Sequence, residues 1–387
     1  MADPLSASAS APPETASRVS LGSRLVSLDA LRGFDMFWIL GADSIGHAMG
    51  EMQGGPVAAS LARQLDHVAW EGFRFYDLIF PLFVFMVGIS LVFSLQRIVA
   101  NEGKGAAIKR IVRRSVLLYL LGVLVYGGFS TPLEQIRLLG VLQRIALCYF
   151  ATGLLFVFFR PKTLYLVTIA ILVGYWALVC FVPAPGQSTV SFAEGQNIVN
   201  WFDAQYLPWR KWDGDHDPEG ILSTFPAIAT CLLGVFAGLW MVNPEKSDRQ
   251  KTLGLVAAGA GLLVLGYAWG FQFPIIKKLW TSSYVLVAAG WSAWLLAGFF
   301  WVIDVLGWRR WAEPFIWIGM NPIALYLIAH FVDFAQLASR LVGGPVATYL
   351  DTHLTAGSGP FVISLTSILL CVALARLMYV KKLFIRL

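Results

Sequence analysis

Long apolar stretches separated by short polar segments run along most of the chain. A helix that spans a membrane needs about 20 predominantly apolar residues. By this rule the pattern predicts ten spans, at approximately 29–49, 75–97, 111–129, 138–159, 163–182, 221–241, 252–272, 282–304, 313–337 and 360–380. We therefore expect an all-α polytopic membrane protein with about ten transmembrane helices, which form a single domain over residues 24–387.

The composition indicates the same class of protein. The 387 residues are 57% hydrophobic and 13% charged, whereas soluble domains carry about 25% charged residues. The net charge is +6, but the basic residues lie in short segments between apolar stretches and form no basic-aromatic tract. We therefore expect membrane lipid around the chain and no nucleic-acid partner.

The distribution of Lys and Arg predicts the orientation of the spans. Basic residues concentrate in alternate connecting segments, among them 97–114, 246–251 and 376–386. Because such segments tend to stay in the cytoplasm, both termini are predicted to be cytoplasmic. Residues 1–23 are rich in Ala, Ser and Pro and lack an apolar core of signal-peptide length, so we expect a disordered cytoplasmic tail.

The cysteines give no indication of a metal centre. They are Cys148, Cys180, Cys231 and Cys371, and all of them lie in apolar stretches without C-x-x-C spacing. This pattern predicts neither a disulfide framework nor a zinc site, and we expect no metal cofactor.

A polar segment that contains His67 precedes the second predicted span. Asp66 and Glu71 flank the histidine, and Asp77 lies at the start of the span. An adjacent carboxylate can orient an imidazole and raise its basicity. His67 is therefore the best candidate for a general base among the five histidines, and the alternative is an inert loop histidine.

Ionisable residues share one face of the first predicted span. In a helix of 3.6 residues per turn, Asp43 lies about 20° from Arg32. Asp29 and Asp35 lie about 60° to either side of Arg32. Because charged groups at membrane depth are costly, they usually face a bundle interior or a cavity. An ion pair that fixes the helix end is the alternative for Asp29 and Arg32, whereas a cavity role is favoured for Asp43.

The predicted loop 183–220 combines tryptophans with carboxylates. Trp212 and Glu219 belong to it. Aromatic rings stack on the C–H faces of sugars, and polar side chains bind their hydroxyls, so this content is suited to a saccharide. An interfacial aromatic belt is the alternative explanation.

Asn321 precedes Pro322 inside the ninth predicted span. The proline removes a backbone donor and kinks the helix. The Asn321 amide is therefore expected either to line a cavity or to compensate for the broken helix.

A dense basic cluster leads into the third predicted span. It consists of Lys104, Lys109, Arg110, Arg113 and Arg114. Such a cluster either anchors the topology or attracts an anionic cosubstrate such as a nucleotide phosphate.

Six ordered sequence blocks carry a resemblance to a known family. They are Ser27–Gly33, His67–Phe85, Gly140–Arg144, Asp217–Gly220, Lys278–Tyr284 and Gly319–Pro322. Together they resemble the membrane domain of the heparan-α-glucosaminide N-acetyltransferase family, including bacterial members, without the luminal domain of the lysosomal members. The resemblance implies a transmembrane acyltransferase-like bundle in a bacterial inner membrane, with a homodimer as the expected assembly. It further implies that acetyl passes from cytoplasmic acetyl-CoA to the amine of a glucosamine unit on the other side.

The resemblance also implies roles for individual residues. The catalytic histidine of the family corresponds to His67, and a second catalytic position, an asparagine in lysosomal members, corresponds to Asp43. An ionised aspartate cannot donate a hydrogen bond to an oxyanion, so Asp43 is expected to orient His67 or the sugar ammonium, or to stay protonated. The expected acceptor contacts are Asp77, Trp70, Trp212, Glu219 and Asn321. The expected acetyl-CoA contacts are Arg32, Arg110, Arg113, Arg114 and Arg144.

Two other functions are compatible with the sequence. Ten spans, a proline-broken helix and a weak similarity between Phe80–Gly88 and Phe225–Gly234 are also typical of a permease, here for an amino sugar or N-acetylglucosamine. O-acetylation of an envelope glycan is the other alternative.

Overall fold

The computed structural model describes residues 25–52 and 55–385, apart from the side chains of residues 42, 43 and 129. The described chain is helical, and its one extended pairing is an antiparallel bridge between Glu71 and Ile276. The predicted all-α membrane class is confirmed, while the predicted tail 1–23 lies outside the described residues. The helices are α1 (Val26–Ile39), α2 (Ala42–Glu51), α3 (Gly55–Gln64), α4 (Phe75–Val125), α5 (Val141–Phe158), α6 (Pro161–Phe181), α7 (Ile198–Tyr206), α8 (Thr224–Val242), α9 (Asp248–Gly270), α10 (Ser282–Phe299), α11 (Glu313–Gly319), α12 (Pro322–Phe331), α13 (Phe334–Val342), α14 (Pro345–His353) and α15 (Ser358–Val380).

Seven of the described helices are long and apolar enough to cross a membrane, namely α4, α5, α6, α8, α9, α10 with its π-helical extension to Val305, and α15. An eighth span results if the segment Arg310–Gly319 and α12, which meet at 69°, are taken together. The predicted count of about ten is therefore not confirmed. One reason is that the first predicted span is divided at Gly41. Helix α1 therefore has only 14 residues, whereas a span requires about 20.

The second and third predicted spans lie in one element, α4, which is broken at Gly103. This residue has φ 84° and ψ 174°, a conformation that glycine adopts without steric cost. In a straight helix Phe83 and Leu118 would be about 50 Å apart, yet both line the same pocket. The two halves of α4 therefore fold back on each other.

The first half of α4 forms the centre of the bundle. From Asp77 to Val92 nearly every residue is buried, because α1, α5, α8 and α10 pack around it. At the crossing with α8, a Cβ on Gly88 would collide with the backbone of α8, and a Cβ on Gly234 would collide with the backbone of α4. Glycines at this crossing let the two backbones approach closely.

Candidate functional site

A backbone contact joins the segment before α4 to the segment before α10. Glu71 and Ile276 form the antiparallel bridge, which brings the next residue, Lys277, beside His67 although the two are 210 positions apart. The side chains of His67, Asp77 and Lys277 meet here, and we call this group the His67 site.

His67 and Asp77 form a hydrogen-bonded pair. Nδ1 of His67 lies 2.8 Å from Oδ1 of Asp77. The other carboxylate oxygen accepts from the backbone N–H groups of Val68 and Arg74, at 3.3 and 3.1 Å, and the bond from Arg74 belongs to the capping box of α4. Asp77 is fully buried, whereas the His67 side chain is 49% exposed. When Nδ1 donates to the carboxylate, Nε2 is the basic nitrogen. Because the His67 side chain is half exposed, a substrate can reach Nε2.

Residues before and within α10 support the first turn of α4. The buried hydroxyl of Tyr284 donates to the carbonyl of Asp77 at 2.7 Å. The indole N–H of Trp280 donates to Oγ1 of Thr230 at 3.0 Å, and its ring packs edge-on against Phe80 with the centroids 5.3 Å apart. Buried contacts therefore hold the first turn of α4, which carries the carboxylate that orients His67.

Lys277 is a member of the site that the sequence analysis missed. Its Nζ lies 3.0 Å from Nδ1 and 3.2 Å from Nε2 of His67, and 3.5 Å from Oδ1 of Asp77. Because the two ring nitrogens are almost equally distant, the ammonium lies over the imidazole face and not in line with one nitrogen lone pair. Burial lowers the pKa of Lys277, and the charges of Asp77 and Glu219 oppose this effect. The only signal in the sequence was a basic pair in a predicted loop.

A second polar group, the Arg137 cluster, consists of Arg137, Asp217, Glu219, Tyr126 and Trp212. Nε and Nη2 of Arg137 donate to Asp217 at 2.8 and 2.6 Å, and Nη2 also binds Glu219. The guanidinium lies between two aromatic rings, 4.7 Å from the centroid of Tyr126 and 5.0 Å from that of Trp212. Burial alone would lower the pKa of Arg137, but the bonds to Asp217 and the charge of Glu219 raise it. Two predicted acceptor residues, Trp212 and Glu219, are thus joined through Arg137.

Helix α7 supports this cluster. Asp203 accepts from the backbone N–H groups of Ile221 and Asp217, at 2.8 and 3.4 Å. A Cβ on Gly220 would collide with the Asp203 carboxylate, so a glycine is required after Glu219. Burial raises the pKa of Asp203 to about 6, against the effect of the two backbone hydrogen bonds.

A pocket of about 370 Å³ lies further along α4, and we call it the Arg32 pocket. Arg32, Arg110 and Arg114 contribute positive charge to its lining, and Asp29 contributes one carboxylate. Ser90 contributes a hydroxyl, and most other lining side chains are apolar. Three of the five arginines expected to contact acetyl-CoA therefore lie together.

The other two of these arginines do not line the Arg32 pocket. Arg113 is exposed. Arg144 is fully buried, and its Nη2 donates to the carbonyl of Gly220 at 3.2 Å and to the hydroxyl of Ser223. Its guanidinium also covers the ring of Trp280 at 4.9 Å. Arg144 thus fixes the loop that carries the Arg137 cluster.

Two arginines of the Arg32 pocket have defined surroundings. Nη1 of Arg32 lies 3.1 Å from Oδ1 of Asp29, as the ion-pair alternative predicted, and Nη2 donates to the Ser90 hydroxyl. The guanidinium of Arg114 lies 4.7 Å from the ring centroid of Tyr149, and its Nε has no hydrogen-bond partner among the described residues. The Nε donor of Arg114 is therefore not used by any described residue.

A small apolar void adjoins the Arg32 pocket. Its volume is about 20 Å³, and it shares Phe83 and Ile145 with the pocket. It also contacts Phe80, one helical turn after Asp77, and Tyr326, which hydrogen-bonds to Tyr126 of the Arg137 cluster. Phe83 is about 9 Å along the helix from Asp77. Buried apolar side chains around a void with room for about one water molecule thus lie between the Arg32 pocket and the first turn of α4.

Three further residues were predicted to belong to the site, namely Trp70, Asn321 and Asp43. The indole of Trp70 donates to the carbonyl of Phe192 at 2.8 Å. The Asn321 amide donates to the carbonyl of Leu383 and accepts from the N–H of Ile385, both at 2.9 Å, so it ties down the C-terminal segment beside the Arg32 pocket. Asp43 belongs to α2, but its side chain lies outside the described residues.

A cluster of possible metal ligands lies near Trp70. Glu194, Asp213 and His216 are close enough to share an ion. However, Nζ of Lys278 lies 2.6 Å from Glu194 and 2.9 Å from Asp213. The cation of this cluster in the structure is therefore the Lys278 ammonium.

Comparison with known proteins adds to this geometry. A family model described as heparan-alpha-glucosaminide N-acetyltransferase, catalytic, matches residues 24–268. The heparan-alpha-glucosaminide N-acetyltransferase of Mus musculus is 29% identical in an alignment 393 residues long. This alignment covers 84% of this chain and 56% of the relative. The Homo sapiens protein of the same name is 27% identical in an alignment 320 residues long, which covers 67% of this chain and 48% of the relative. The chain spans about half the length of these curated relatives.

Proposed function

The chain belongs to the heparan-alpha-glucosaminide N-acetyltransferase family, and on this premise we propose that it transfers acetyl from acetyl-CoA to the amine of a glucosamine unit across a membrane. The observation that carries the proposal is the arrangement of two sites along one buried helix. The first turn of α4 carries Asp77 with its partner His67, and the Arg32 pocket lies further along the same helix.

The Arg32 pocket is the proposed site of acetyl-CoA. Guanidinium groups bind phosphates in a planar, two-point geometry, and Arg32, Arg110 and Arg114 supply three of them. The apolar lining suits the extended pantetheine arm. From this position the arm would have to pass Phe83 to bring the thioester towards Asp77, and the side chains around the small void would move apart to admit it.

The acceptor sugar is proposed to bind beside the His67 site, on the far side of these apolar side chains from the Arg32 pocket. Trp212 is 58% exposed, so one face of its ring is available to stack on a sugar while Arg137 covers the other. Glu219 and Trp70 are the further proposed contacts. The amine of the sugar would then approach Nε2 of His67.

In the proposed reaction, the neutral amine attacks the carbonyl carbon of the thioester directly. His67 Nε2 accepts one amine proton as the C–N bond forms, and Asp77 stabilises the imidazolium through Nδ1–H. Collapse of the tetrahedral intermediate breaks the C–S bond, and the imidazolium returns the proton to the CoA thiolate. Direct transfer avoids an acetyl-imidazole that water would hydrolyse.

The proposed orientation in the membrane rests on the distribution of charge. The Arg32 pocket adjoins the basic segment 97–114, which the positive-inside tendency assigns to the cytoplasm. We propose that residues 24–387 form one domain in a bacterial inner membrane, with both termini cytoplasmic and the His67 site open to the other side.

The test uses the purified full-length protein with acetyl-CoA and glucosamine. We expect release of the CoA thiol and formation of N-acetylglucosamine by mass spectrometry, with loss of both in His67→Ala. His353→Ala, at an exposed histidine of α14, is the matched control and should keep the wild-type rate. A folded His67→Ala protein that works at the wild-type rate would refute the role of His67.

Acceptor chemistry is tested with the same protein. Acetylation of the sugar amine but not of hydroxyl-only analogues is expected, and the reverse preference would favour the O-acetyltransferase alternative. Isolation of an acetylated enzyme in the absence of sugar would replace direct transfer by a two-step route.

A further inference from the structure

The His67 site contains a cation that the reaction described above does not use. We propose that the ammonium of Lys277 binds the carbonyl oxygen of the acetyl thioester and stabilises the negative charge that develops on it. This inference rests on the proposed acetyltransferase function and names the residue that serves as its oxyanion donor.

The position of Lys277 relative to the basic nitrogen supports this role. A general base accepts its proton across about 2.6–3.2 Å, so the attacking amine lies within that distance of Nε2. The attacked carbon is bonded to this amine in the intermediate, and the carbonyl oxygen is one bond further. Because Nζ of Lys277 is only 3.2 Å from Nε2 of His67, a carbonyl oxygen that points to the side of the imidazole face can come within hydrogen-bonding distance of Nζ.

The ammonium has donors available for such an oxygen. A lysine ammonium carries three N–H groups and accepts none. Its distance of 3.5 Å to Oδ1 of Asp77 is longer than the about 2.7–2.9 Å of a tight charge-assisted bond. The ion pair with Asp77 therefore holds Lys277 in place and leaves donor capacity for the substrate.

The surroundings of Lys277 suit a group that must stay charged in a partly dry site. The acidic groups that act on its charge are Asp77, on α4, and Glu219, in the segment before α8, and both favour the ammonium form against the effect of burial. The side chain is 20% exposed, so a substrate can contact it. A fixed cation at low dielectric stabilises developing charge more than the same cation does in water.

The step balances as follows. The amine lone pair forms the C–N bond, and the C=O π electrons move to the oxygen, which binds the Lys277 ammonium without taking its proton. One amine proton goes to Nε2 of His67. When the C=O bond re-forms, the C–S bond breaks, the thiolate leaves with that electron pair, and His67 protonates it.

The test compares Lys277→Met, Lys277→Arg and wild type in the full-length protein. We expect Lys277→Met to lower kcat about 10²–10³-fold, the usual cost of losing an oxyanion donor. Acetyl-CoA affinity and melting temperature should remain at wild-type values. Lys211→Met, at a lysine in the segment between α7 and α8, is the control for loss of a positive charge and should keep its kcat.

The pH profile separates a catalytic from a structural role. Lysine loses its positive charge when it is deprotonated, and burial brings that loss closer to neutral pH. Arginine stays charged over the whole accessible range, so Lys277→Arg should retain part of kcat and extend its activity to higher pH.

Three results would count against these ideas in different ways. Wild-type kcat in Lys277→Met overturns the inference. A loss of kcat that accompanies lost acetyl-CoA binding or a lower melting temperature, with no change in the alkaline limb of Lys277→Arg, assigns Lys277 a purely structural role and also overturns it. No acetyl transfer by the wild type would refute the proposed function itself.

Discussion

The hydroxyl of Tyr284 on α10 donates a hydrogen bond of 2.7 Å to the main-chain carbonyl of Asp77 on α4. In a regular helix this carbonyl would accept from the N–H of the residue four positions later. That residue is Pro81, which has no N–H. Tyr284 therefore replaces the helical hydrogen bond that the proline removes, and it does so at the residue that orients His67.

Replacing Tyr284 with Phe should destabilise the protein. The variant leaves the carbonyl of Asp77 buried without a partner, which costs about 1–3 kcal/mol. We expect a lower melting temperature together with a lower kcat, because the first turn of α4 positions Asp77.

A second substitution tests this explanation. Pro81→Ala restores an N–H that can donate to the carbonyl of Asp77, so Tyr284→Phe should cost less in the Pro81→Ala background than in wild type. This double-mutant cycle isolates the coupling between the two residues. Equal costs in both backgrounds would show that Tyr284 acts by packing alone.

Asp77→Asn should reduce activity far more than stability. The variant removes the charge that stabilises the imidazolium of His67 and disturbs its tautomer, and in other histidine–carboxylate pairs this change lowers kcat by about 10⁴-fold. Asp66→Asn is the matched control. The contact described between Asp66 and His67 is a hydrogen bond from the backbone N–H of His67, at 2.8 Å, and does not involve the imidazole. Steady-state kinetics of both variants give the comparison, and similar losses would contradict the assignment of Asp77.

The His67–Asp77 pair was accessible from the sequence because both residues lie within ten positions at the start of an apolar stretch. Lys277 and Arg137 were not accessible. Their partners lie 210 and 80 positions away, and no local pattern specifies such contacts. The bridge at Glu71 and Ile276 that brings Lys277 to His67 likewise exists only in the folded chain.

The directions of side chains on a helix explain why Arg114 lines the Arg32 pocket and Arg113 does not. Arg113 and Arg114 are neighbours in the sequence, but adjacent residues on a helix point about 100° apart, and only Arg114 lines the Arg32 pocket. The count of spans differed for another reason. Hydropathy located the apolar stretches and separated the two halves of α4 on either side of Gly103, but it does not reveal the division at Gly41.

Arg114→Ala should weaken acetyl-CoA binding, whereas Arg113→Ala should not. A hydrogen bond to a charged group is worth about 1.5–3 kcal/mol, so loss of an arginine–phosphate contact should raise the dissociation constant by about 10–100-fold. Binding measured by calorimetry with acetyl-CoA and with dephospho-CoA identifies the phosphate involved. Equal effects of the two substitutions would indicate a diffuse electrostatic contribution in place of a contact in the pocket.

Asp203 should make stability depend on pH. Its pKa is raised from 3.8 to about 6 in the folded protein by burial, so the folded state binds the proton more tightly than the unfolded state. The resulting stabilisation is complete below the unfolded pKa and is lost as the pH rises to about 6, with a size of about 3 kcal/mol at 1.4 kcal/mol per pKa unit.

Asp203→Asn provides the measurement. The amide cannot ionise, so the melting temperature of the variant relative to wild type should rise between about pH 4 and pH 7. Loss of one backbone hydrogen bond to the carboxylate adds an offset that does not change with pH. A constant difference over this range would show that Asp203 is ionised throughout.

The crossing of α4 and α8 should be intolerant of side chains. A Cβ on Gly88 would collide with the carbonyl oxygen of Cys231 on α8, and a backbone atom cannot move aside as the end of a side chain can. Gly88→Ala should therefore separate the helices, lower the melting temperature and reduce activity, since the same helix carries Asp77. Gly174→Ala on α6 is the matched control, because a Cβ there meets no atom within 4 Å and alanine favours a helix by about 0.5–1 kcal/mol over glycine. If Gly88→Ala were as stable as Gly174→Ala, the close approach of α4 and α8 would not be a requirement of the fold.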